Sequence, residues 1–424
     1  MKISALFCFL LVSIFDSCRI FEMIAFGVSD YHSRPKFGER LVSNPEDHAF
    51  KFHEAYSCTT EDVCELKYCS PIKNRKKLEI YLDDYLANHT KTTAFLMIHK
   101  DSIVYENYFE GYDQYDIFPS WSIAKSFTGT LVGIAIDEGF INNEEDLVIK
   151  YLPEFEKYHP YWKELTLKNL LNMRSGFDYN EMTYKKPKKG ITNLYLSRNS
   201  IENVKKTGFK HKPGTVGRYS SLDSQVLGLV MERVLGIPLS KYLEEKIWIP
   251  LGMESEATWN YESQKFNHTK AYCCLKATAR DYAKLGRLYL KKGNWNGKQI
   301  ISEEWIEKAT TPKTNNKCYQ YNWYMDRHLK TVSRDGEKVI KIYDDSISAQ
   351  KLIDPKREYV SHLKSQKGYV INQCGPCYMA AGVFEQRVFV DPENEIIFVR
   401  LGKKKNLMPE HLFHTITDHF LENQ

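Results

Sequence analysis

The chain has little excess of charge of one sign. Its 424 residues carry 59 lysines and arginines against 54 aspartates and glutamates, a formal surplus of +5. A surplus so small for the length does not indicate a surface for nucleic acid. RNA- and DNA-binding motifs, internal repeats and low-complexity tracts are also missing. We therefore exclude nucleic acid as a partner.

Long apolar runs are absent as well. The apolar run Ile3–Phe15 has only thirteen residues, whereas a membrane-spanning helix needs about 20. Such a run after Lys2 is typical of an export signal. We predict that residues 1–27 export the protein to the periplasm or cell envelope. Two alternatives stay open, which are lipid attachment at Cys18 and membrane anchoring by an uncleaved segment extended through Ile20–Phe26.

Cysteine is sparse, and beyond the N-terminal segment eight cysteines remain: Cys58, Cys64, Cys69, Cys273, Cys274, Cys318, Cys374 and Cys377. In an exported protein we expect some of them to form disulfides. Cys374-Gly-Pro-Cys377 has the spacing of a redox pair but lacks the strand-then-helix context of one. A zinc site using the two pairs 273/274 and 374/377 is a further alternative, although adjacent ligands are unusual. We expect no metal and no organic cofactor.

Both ends of the chain predict strands and a helix. After an irregular leader over 28–75, apolar residues at helical spacing predict a helix from Leu78 to Leu86. The expected strands and the last helix follow from alternating and helical patterns, over Thr93–His99, Ile103–Tyr108, Val388–Val390, Ile396–Leu401 and Leu412–Phe420. The stretch from about 120 to 310 has mostly helical patterns.

These patterns predict an α+β fold. One antiparallel sheet is built from both chain ends and flanked by terminal helices, with an inserted, mostly helical lobe. We assign 76–424 to this domain. We interpret a polar stretch over about 326–374 as an insertion, and it and Phe177–Asn199 are the two candidate lids. The alternative for each is surface decoration without a role at the site. The lysine-rich run Lys185–Lys189 is interpreted as a solvated loop.

Ser122 and Lys125 are the candidate nucleophile and base. Three residues apart at the start of an apolar helix, they lie one turn apart on the same face. A serine hydroxyl needs a neighbouring base to become a nucleophile, and a partly desolvated lysine amine can take its proton. The alternative is that Ser122 only caps the helix.

The segment from Ser122 to Thr128, Ser-Ile-Ala-Lys-Ser-Phe-Thr, resembles the first motif of class C β-lactamases and their relatives. Those relatives include D-alanyl-D-alanine carboxypeptidases, carboxylesterases and nylon-oligomer hydrolases. Further segments resemble the family in the expected order: Leu165–Gly176, Pro213-Gly214, Arg218–Ser221, Pro250–Met253 and Ala277–Gly286. The resemblance covers roughly 75–325 and 375–424 and implies a β-lactamase/transpeptidase-like fold.

In this resemblance Tyr219-Ser220-Ser221 takes the place of the second motif. The resemblance implies that Tyr219 is a base or proton shuttle beside the nucleophile. A phenol titrates near 10, so we expect a cation such as Lys125 to lower its pKa. Ser221 stands where the family often has asparagine, and we expect it to orient the substrate or Lys125 by a hydrogen bond.

The strand Tyr378–Val383 takes the place of the third motif. Gly382 is retained, which suits close approach of the backbone to a ligand. Ala380 replaces the family lysine that helps hold the β-lactam carboxylate, and this argues against β-lactamase activity. We expect the backbone N–H of Val383 to be the second oxyanion donor, with that of Ser122 as the first.

The sequence therefore predicts an exported serine hydrolase that forms an acyl-enzyme on Ser122. Its partner is a small-molecule or short-peptide ester or amide substrate. Two alternatives remain, a D-alanyl-D-alanine peptidase acting on peptidoglycan and a catalytically silent surface protein on the same scaffold.

Overall fold

A computed structural model describes residues 38–44, 49–54, 67–70, 78–181, 190–311, 317–329, 331–334, 337–343, 345–353, 358–363, 368–403 and 409–422. The predicted export segment with Cys18, the cysteines at 58 and 64, and the lysine-rich run over 185–189 lie outside these residues.

A nine-stranded sheet forms the centre of the domain. Its path runs β12 (Tyr319–Gln320), β13 (Trp323–Leu329), β17 (Gly368–Gly382), β18 (Gln386–Asp391), β19 (Ile396–Gly402), β5 (Thr92–His99), β6 (Ser102–Tyr108) and β2 (His53–Glu54), and β16 (Glu358–Leu363) also pairs with β17. Neighbours are antiparallel except β2 and β6, which are parallel. Because β19 pairs with β5, both chain ends build one sheet, and the predicted α+β fold is confirmed.

Both faces of this sheet are covered, as β5 shows. Ala94, Leu96 and Ile98 belong to one hydrophobic core, whereas Phe95 and Met97 belong to a second core on the opposite face. Side chains of a strand alternate between faces, so a strand buried on both faces consists of apolar residues without interruption. The predicted bounds of the four strands agree with the observed ones to within two residues at each end.

The terminal helices cover the second core. The helix α1 (Leu82–Asp84), continued by a π-helical turn over Tyr85–His89, packs there with α12 (Pro409–Glu422). The prediction for the C-terminal helix is confirmed. The prediction of a helix from Leu78 is wrong for its first four residues, because β4 (Leu78–Tyr81) pairs with β3 (Lys67–Ser70) and its backbone hydrogen bonds go to that strand.

The helical lobe covers the other face. Its helices are α2 (Ile123–Asp137), α3 (Val148–Tyr151), α4 (Leu167–Leu171), α5 (Ile191–Leu196), α6 (Ser200–Lys206), α7 (Ser221–Leu235), α8 (Leu239–Leu243), α9 (Ala279–Leu290) and α10 (Glu303–Thr310), with 3₁₀ turns over Pro153–Tyr158 and Pro160–Glu164 and a π turn over Glu244–Trp248. The helix α7 ends at Gly236, which adopts the left-handed conformation with φ 69°. Within the described ranges, every helix is too short or too polar to cross a membrane.

A small sheet connects the lobe to the leader. Its order is β1 (Glu39–Val42), β8 (Ala257–Asn260), β9 (Leu275–Ala277) and β7 (Phe118–Pro119). Two further ribbons are β10 (Asn294–Trp295) with β11 (Lys298–Gln299), and β14 (Thr331–Arg334) with β15 (Glu337–Ile340). The second ribbon and α11 (Ser346–Gln350) belong to the stretch assigned to an insertion, whose two ends continue into β13 and β17 of the central sheet.

Candidate active site

The nucleophile candidate stands at a strained turn between β7 and α2. Trp121 has φ 49°, a left-handed conformation that is unfavourable for a bulky residue. Ser122 follows at the N-cap position of α2, but its side chain makes no capping hydrogen bond. The alternative of a serine that only caps a helix is therefore wrong, and the hydroxyl is available for another partner.

That partner is Lys125. Its Nζ lies 2.8 Å from Ser122 Oγ and donates a second hydrogen bond to the carbonyl of Tyr272 at 2.9 Å. The lysine is 1% exposed, and burial lowers its pKa to about 8, although the negative charge of Glu181 opposes this shift. At pH 7 roughly a tenth of such a group is neutral, so the amine is suited to take the serine proton.

Tyr219 lies beside this pair, as predicted. Its ring centroid is 5.0 Å from Lys125 Nζ and 6.1 Å from that of Tyr324, and Tyr219 and Ser122 line the same cavity. The expectation of a lowered phenol pKa is wrong. Burial raises the pKa of Tyr219 well above its usual value, and the nearby Tyr324 and Glu181 raise it further. A phenol that stays protonated donates and relays a proton, whereas the buried lysine is the group that can accept one.

Ser221 has a different partner from the expected one. Its Oγ donates to Oε1 of Glu181 at 2.6 Å, and its backbone N–H donates to Oε2 of the same carboxylate at 2.9 Å. Ser221 is buried at the first residue of α7. The expectation that this hydroxyl binds Lys125 is therefore wrong, and the acid that holds it lies 40 residues earlier in the chain.

The end of β17 packs directly on the nucleophile's turn. A Cβ added to Gly382 would lie 2.6 Å from the carbonyl oxygen of Ser120 and 3.0 Å from Cβ of Trp121. Glycine is needed here for space, since its backbone is extended. The strand ends at Gly382, one residue earlier than predicted, and Val383 begins a 3₁₀ turn. Ser122, Gly382 and Val383 line one cavity.

This cavity has a volume of about 1170 Å³, above the range of about 300–1,000 Å³ for ligand pockets. From Ser122 and Tyr219 it extends along β13 to the polar face of α12. Its charged side chains are mainly acidic: Glu181, Asp326, Glu385, Glu410 and Asp418 against Lys317, Arg327 and Arg387. Two of the acids, Glu385 and Glu410, form ion pairs with Arg387.

Ala380 contributes no charge to the cavity. It is fully buried in the core that faces the helical lobe and pairs with Val388. The structure thus has a methyl group at the position where the resemblance places a lysine. Arg387, a basic residue of β18 that lines the cavity, is held by two carboxylates.

Four cysteines form two disulfides in the described part of the chain. Cys273 is bonded to Cys274 and Cys318 to Cys374, which confirms that some cysteines are paired. The redox-pair alternative is wrong, because Cys374 is bonded elsewhere and Cys377 is a buried free thiol on β17. The zinc alternative is wrong for the same reason. Among the described residues, no group of three or more histidines, cysteines or acids could hold a metal.

Three functional candidates were missed by the sequence reasoning. Glu181 binds Ser221, the carbonyl of Tyr272 binds Lys125, and Asp223 accepts hydrogen bonds from Ser175. Asp223 is fully buried, and burial raises its pKa to about 7. Each of these contacts joins residues at least 40 positions apart, so no local spacing points to them.

Comparison with known proteins gives a family and several relatives. The profile of the family named Beta-lactamase matches residues 78–419. A 6-aminohexanoate-dimer hydrolase of Paenarthrobacter ureafaciens is 28% identical over 232 residues, which are 52% of this chain and 57% of that protein. A protein of Salmonella agona (strain SL483) assigned as a D-alanyl-D-alanine carboxypeptidase is 32% identical over 117 residues, 26% of each chain. The matches thus span between a quarter and little more than half of these curated relatives.

A solved structure extends the similarity in fold to nearly the whole chain. It is a Bacillus anthracis protein assigned as a 6-aminohexanoate-dimer hydrolase, with a TM-score of 0.69 and 22% identity. The alignment covers 91% of this chain and 92% of that one. At this identity the similarity concerns the fold.

Proposed function

This chain belongs to the β-lactamase family of serine hydrolases that act on amides or esters, and on that premise we propose that it cleaves a small ester or amide through an acyl-enzyme on Ser122. The observation that carries the proposal is the hydrogen bond between Lys125 Nζ and Ser122 Oγ, made by a lysine with a pKa of about 8. Ser122 lines the cavity of about 1170 Å³ together with Tyr219, and Lys125 adjoins it through this hydrogen bond.

In the proposed reaction the neutral amine of Lys125 takes the hydroxyl proton while Ser122 Oγ bonds to the acyl carbon. The backbone N–H groups of Ser122 and Val383 stabilise the oxyanion, and removing one such donor typically costs about 100- to 1000-fold in rate. Tyr219 gives its proton to the leaving group and regains one from the Lys125 ammonium. Water then attacks the acyl-enzyme by the reverse transfers and frees Ser122.

The relatives and the cavity support a class of substrate. A relative named for an aminohexanoate dimer and a volume of about 1170 Å³ both favour a short linear amide or ester over a compact ring. The alternative of a D-alanyl-D-alanine peptidase is supported by the relative assigned to that activity. Ala380 weakens this alternative, because the terminal carboxylate of a D-alanyl-D-alanine peptide, like that of a β-lactam, meets no lysine at this position.

A fluorophosphonate probe, which bonds covalently to activated serines, tests the nucleophile. Wild-type protein should be labelled at Ser122, and Ser122→Ala should not. Labelling that persists in the variant rejects the assignment, and an unlabelled wild type favours the silent scaffold. A panel of short esters, linear amides and a D-alanyl-D-alanine peptide then ranks the substrate classes by kcat/KM.

We also propose that the protein is exported, by signal or anchor, from the N-terminal segment that contains Cys18. The disulfides Cys273–Cys274 and Cys318–Cys374 support this, because such bonds persist in oxidising compartments. Fractionation of cells that express the full chain, with N-terminal sequencing of the product, distinguishes a cleaved signal from a retained or lipidated anchor.

A further inference from the structure

Glu181 connects two parts of the site that are distant in sequence. It follows the turn Ser175-Gly176 and lines the same cavity as Ser122. Both of its carboxylate oxygens accept hydrogen bonds from Ser221, one from the hydroxyl at 2.6 Å and one from the backbone N–H at 2.9 Å. A carboxylate that accepts two bonds at the first turn of a helix is well placed for the helix dipole of α7.

A second contact between a serine and a carboxylate joins the same two segments, with the donor and the acceptor exchanged. The Oγ of Ser175 donates to Oδ1 of Asp223 at 2.8 Å, and its N–H donates to Oδ2 at 3.3 Å. The segment from Ser175 to Glu181 is thus fixed to the start of α7 by two carboxylates, one on each side. Tyr219 lies two residues before Ser221, so the same contacts fix the backbone that places its phenol beside Ser122.

The charge of Glu181 reaches the catalytic lysine. Glu181 raises the pKa of Lys125, in opposition to the effect of burial. Its hydrogen bonds within the described ranges come from the neutral donors of Ser221, and Lys125 is a cation on which its charge acts. The other titratable groups that face Glu181 also have raised pKa values: Tyr179, Tyr219, Asp223, Tyr272, Tyr319 and Tyr324.

We propose, resting on the function proposed above, that Glu181 is a positioning residue of this hydrolase, which holds Tyr219 at the nucleophile through Ser221 and supplies the counter-charge of Lys125. Two separable effects follow. The hydrogen bonds to Ser221 set how well the proton relay is placed, and the negative charge sets the pH at which Lys125 becomes neutral.

The test measures the rate of Ser122 labelling by a fluorophosphonate from pH 5 to 10, in full-length protein. The acid limb of this profile is the pH range in which the rate falls because Lys125 becomes protonated. In Glu181→Gln the charge is lost while the amide still pairs with Ser221, so the pKa of Lys125 should fall and the acid limb should move to lower pH. In Ser221→Ala the charge stays and one charge-assisted bond is lost, so the limb should stay while the plateau falls about tenfold or more. Glu181→Asp should keep the limb at the wild-type pH.

Two controls make the result specific. Glu202→Gln removes an equal charge from a surface ion pair with Lys205 and should not move the limb. Asp223→Asn removes a buried carboxyl whose pKa also lies near neutrality, and the acid limb should persist in it because Lys125 remains. A thermal unfolding curve of each variant identifies one that does not fold, in which case Ser221→Ala and Glu181→Asp carry the comparison.

The outcomes separate this proposal from the one it rests on. A wild type that is not labelled at Ser122 rejects the hydrolase function and the role of Glu181 together. A labelled wild type with an unmoved limb in Glu181→Gln and an unchanged plateau in Ser221→Ala overturns the role of Glu181 alone. A limb that shifts in Glu181→Gln and stays in Glu181→Asp establishes the counter-charge.

Discussion

The Nζ atom of Lys125 lies 2.8 Å from Oγ of Ser122 and, on its other side, 2.9 Å from the carbonyl oxygen of Tyr272. The carbonyl fixes the amine in place without giving it a counter-charge. A buried ammonium with only neutral hydrogen-bond partners is costly to keep charged. The two contacts together explain how one side chain is both rigidly placed and ready to lose its proton.

Acylation should therefore depend on the protonation of Lys125. Its pKa of about 8 predicts that Ser122 labelling slows as the pH falls below 8, since the amine becomes an ammonium that cannot accept a proton. Lys125→Ala should slow labelling by about 100- to 10,000-fold and remove this limb. Lys150→Ala, which removes a half-exposed lysine from a surface ion pair, is the matched control. An active Lys125→Ala protein with the wild-type pH profile would show that another group is the base.

Gly382→Ala should damage the site through backbone displacement. The added methyl group would meet the carbonyl oxygen of Ser120 at 2.6 Å, so either β17 or the turn that carries Ser122 must move. A misplacement of about 1 Å can cost about 100-fold in rate. The control is Gly208→Ala, because nothing lies within 4 Å of a Cβ at that position. Labelling rates of the two variants are compared, and equal rates would contradict the packing argument.

Asp223 should make the fold less stable as the pH rises. Its pKa is raised to about 7 in the folded protein, against about 3.9 in an unfolded chain. Between these values the folded state binds more protons than the unfolded state, so stability is lost with increasing pH. Asp223→Asn should remove this loss, and its free energy of unfolding relative to wild type should be more favourable at pH 8 than at pH 5. Urea unfolding at both pH values measures it, and the same difference at both would refute the prediction.

The bond between Cys318 and Cys374 should stabilise the fold, since it closes the stretch that contains the insertion. For a sequence separation of 56 residues, the loss of chain entropy in the unfolded state corresponds to about 4 kcal/mol. Replacing both cysteines by serine should lower the unfolding free energy by up to this amount while Ser122 labelling persists. A double variant as stable as wild type in urea unfolding would show that the bond does not constrain the unfolded chain.

β-Lactam turnover should be slow. The buried methyl group of Ala380 provides no cation for the carboxylate of a β-lactam. The colour change of nitrocefin should therefore lag far behind ester hydrolysis by the same preparation. Protein labelled at Ser122 serves as the active-site titre. Prompt nitrocefin turnover per labelled site would prove this reading of Ala380 wrong.

The Ser122–Lys125 pair and several secondary-structure elements could be predicted from the sequence because they depend on the spacing of residues close together in the chain. Ser122 and Lys125 are one helical turn apart, and the strands and the last helix follow from patterns of two and of three to four residues. The wrong prediction at Leu78 has a tertiary cause. Four residues with a helical pattern pair instead with β3, and no local rule contains that partner.

The amino-acid sequence by itself indicated the candidate nucleophile, its lysine partner, the sheet built from both ends and the glycine at 382. Only the tertiary structure decided which group is suited to act as the base. Burial in the lobe lowers the pKa of Lys125 and raises that of Tyr219, and burial is a property of packing and not of spacing. The tertiary structure also pairs Ser221 with Glu181, which lies 40 residues earlier in the chain. This hydrogen bond depends on the distance between the two side chains in the fold, which local sequence patterns do not give.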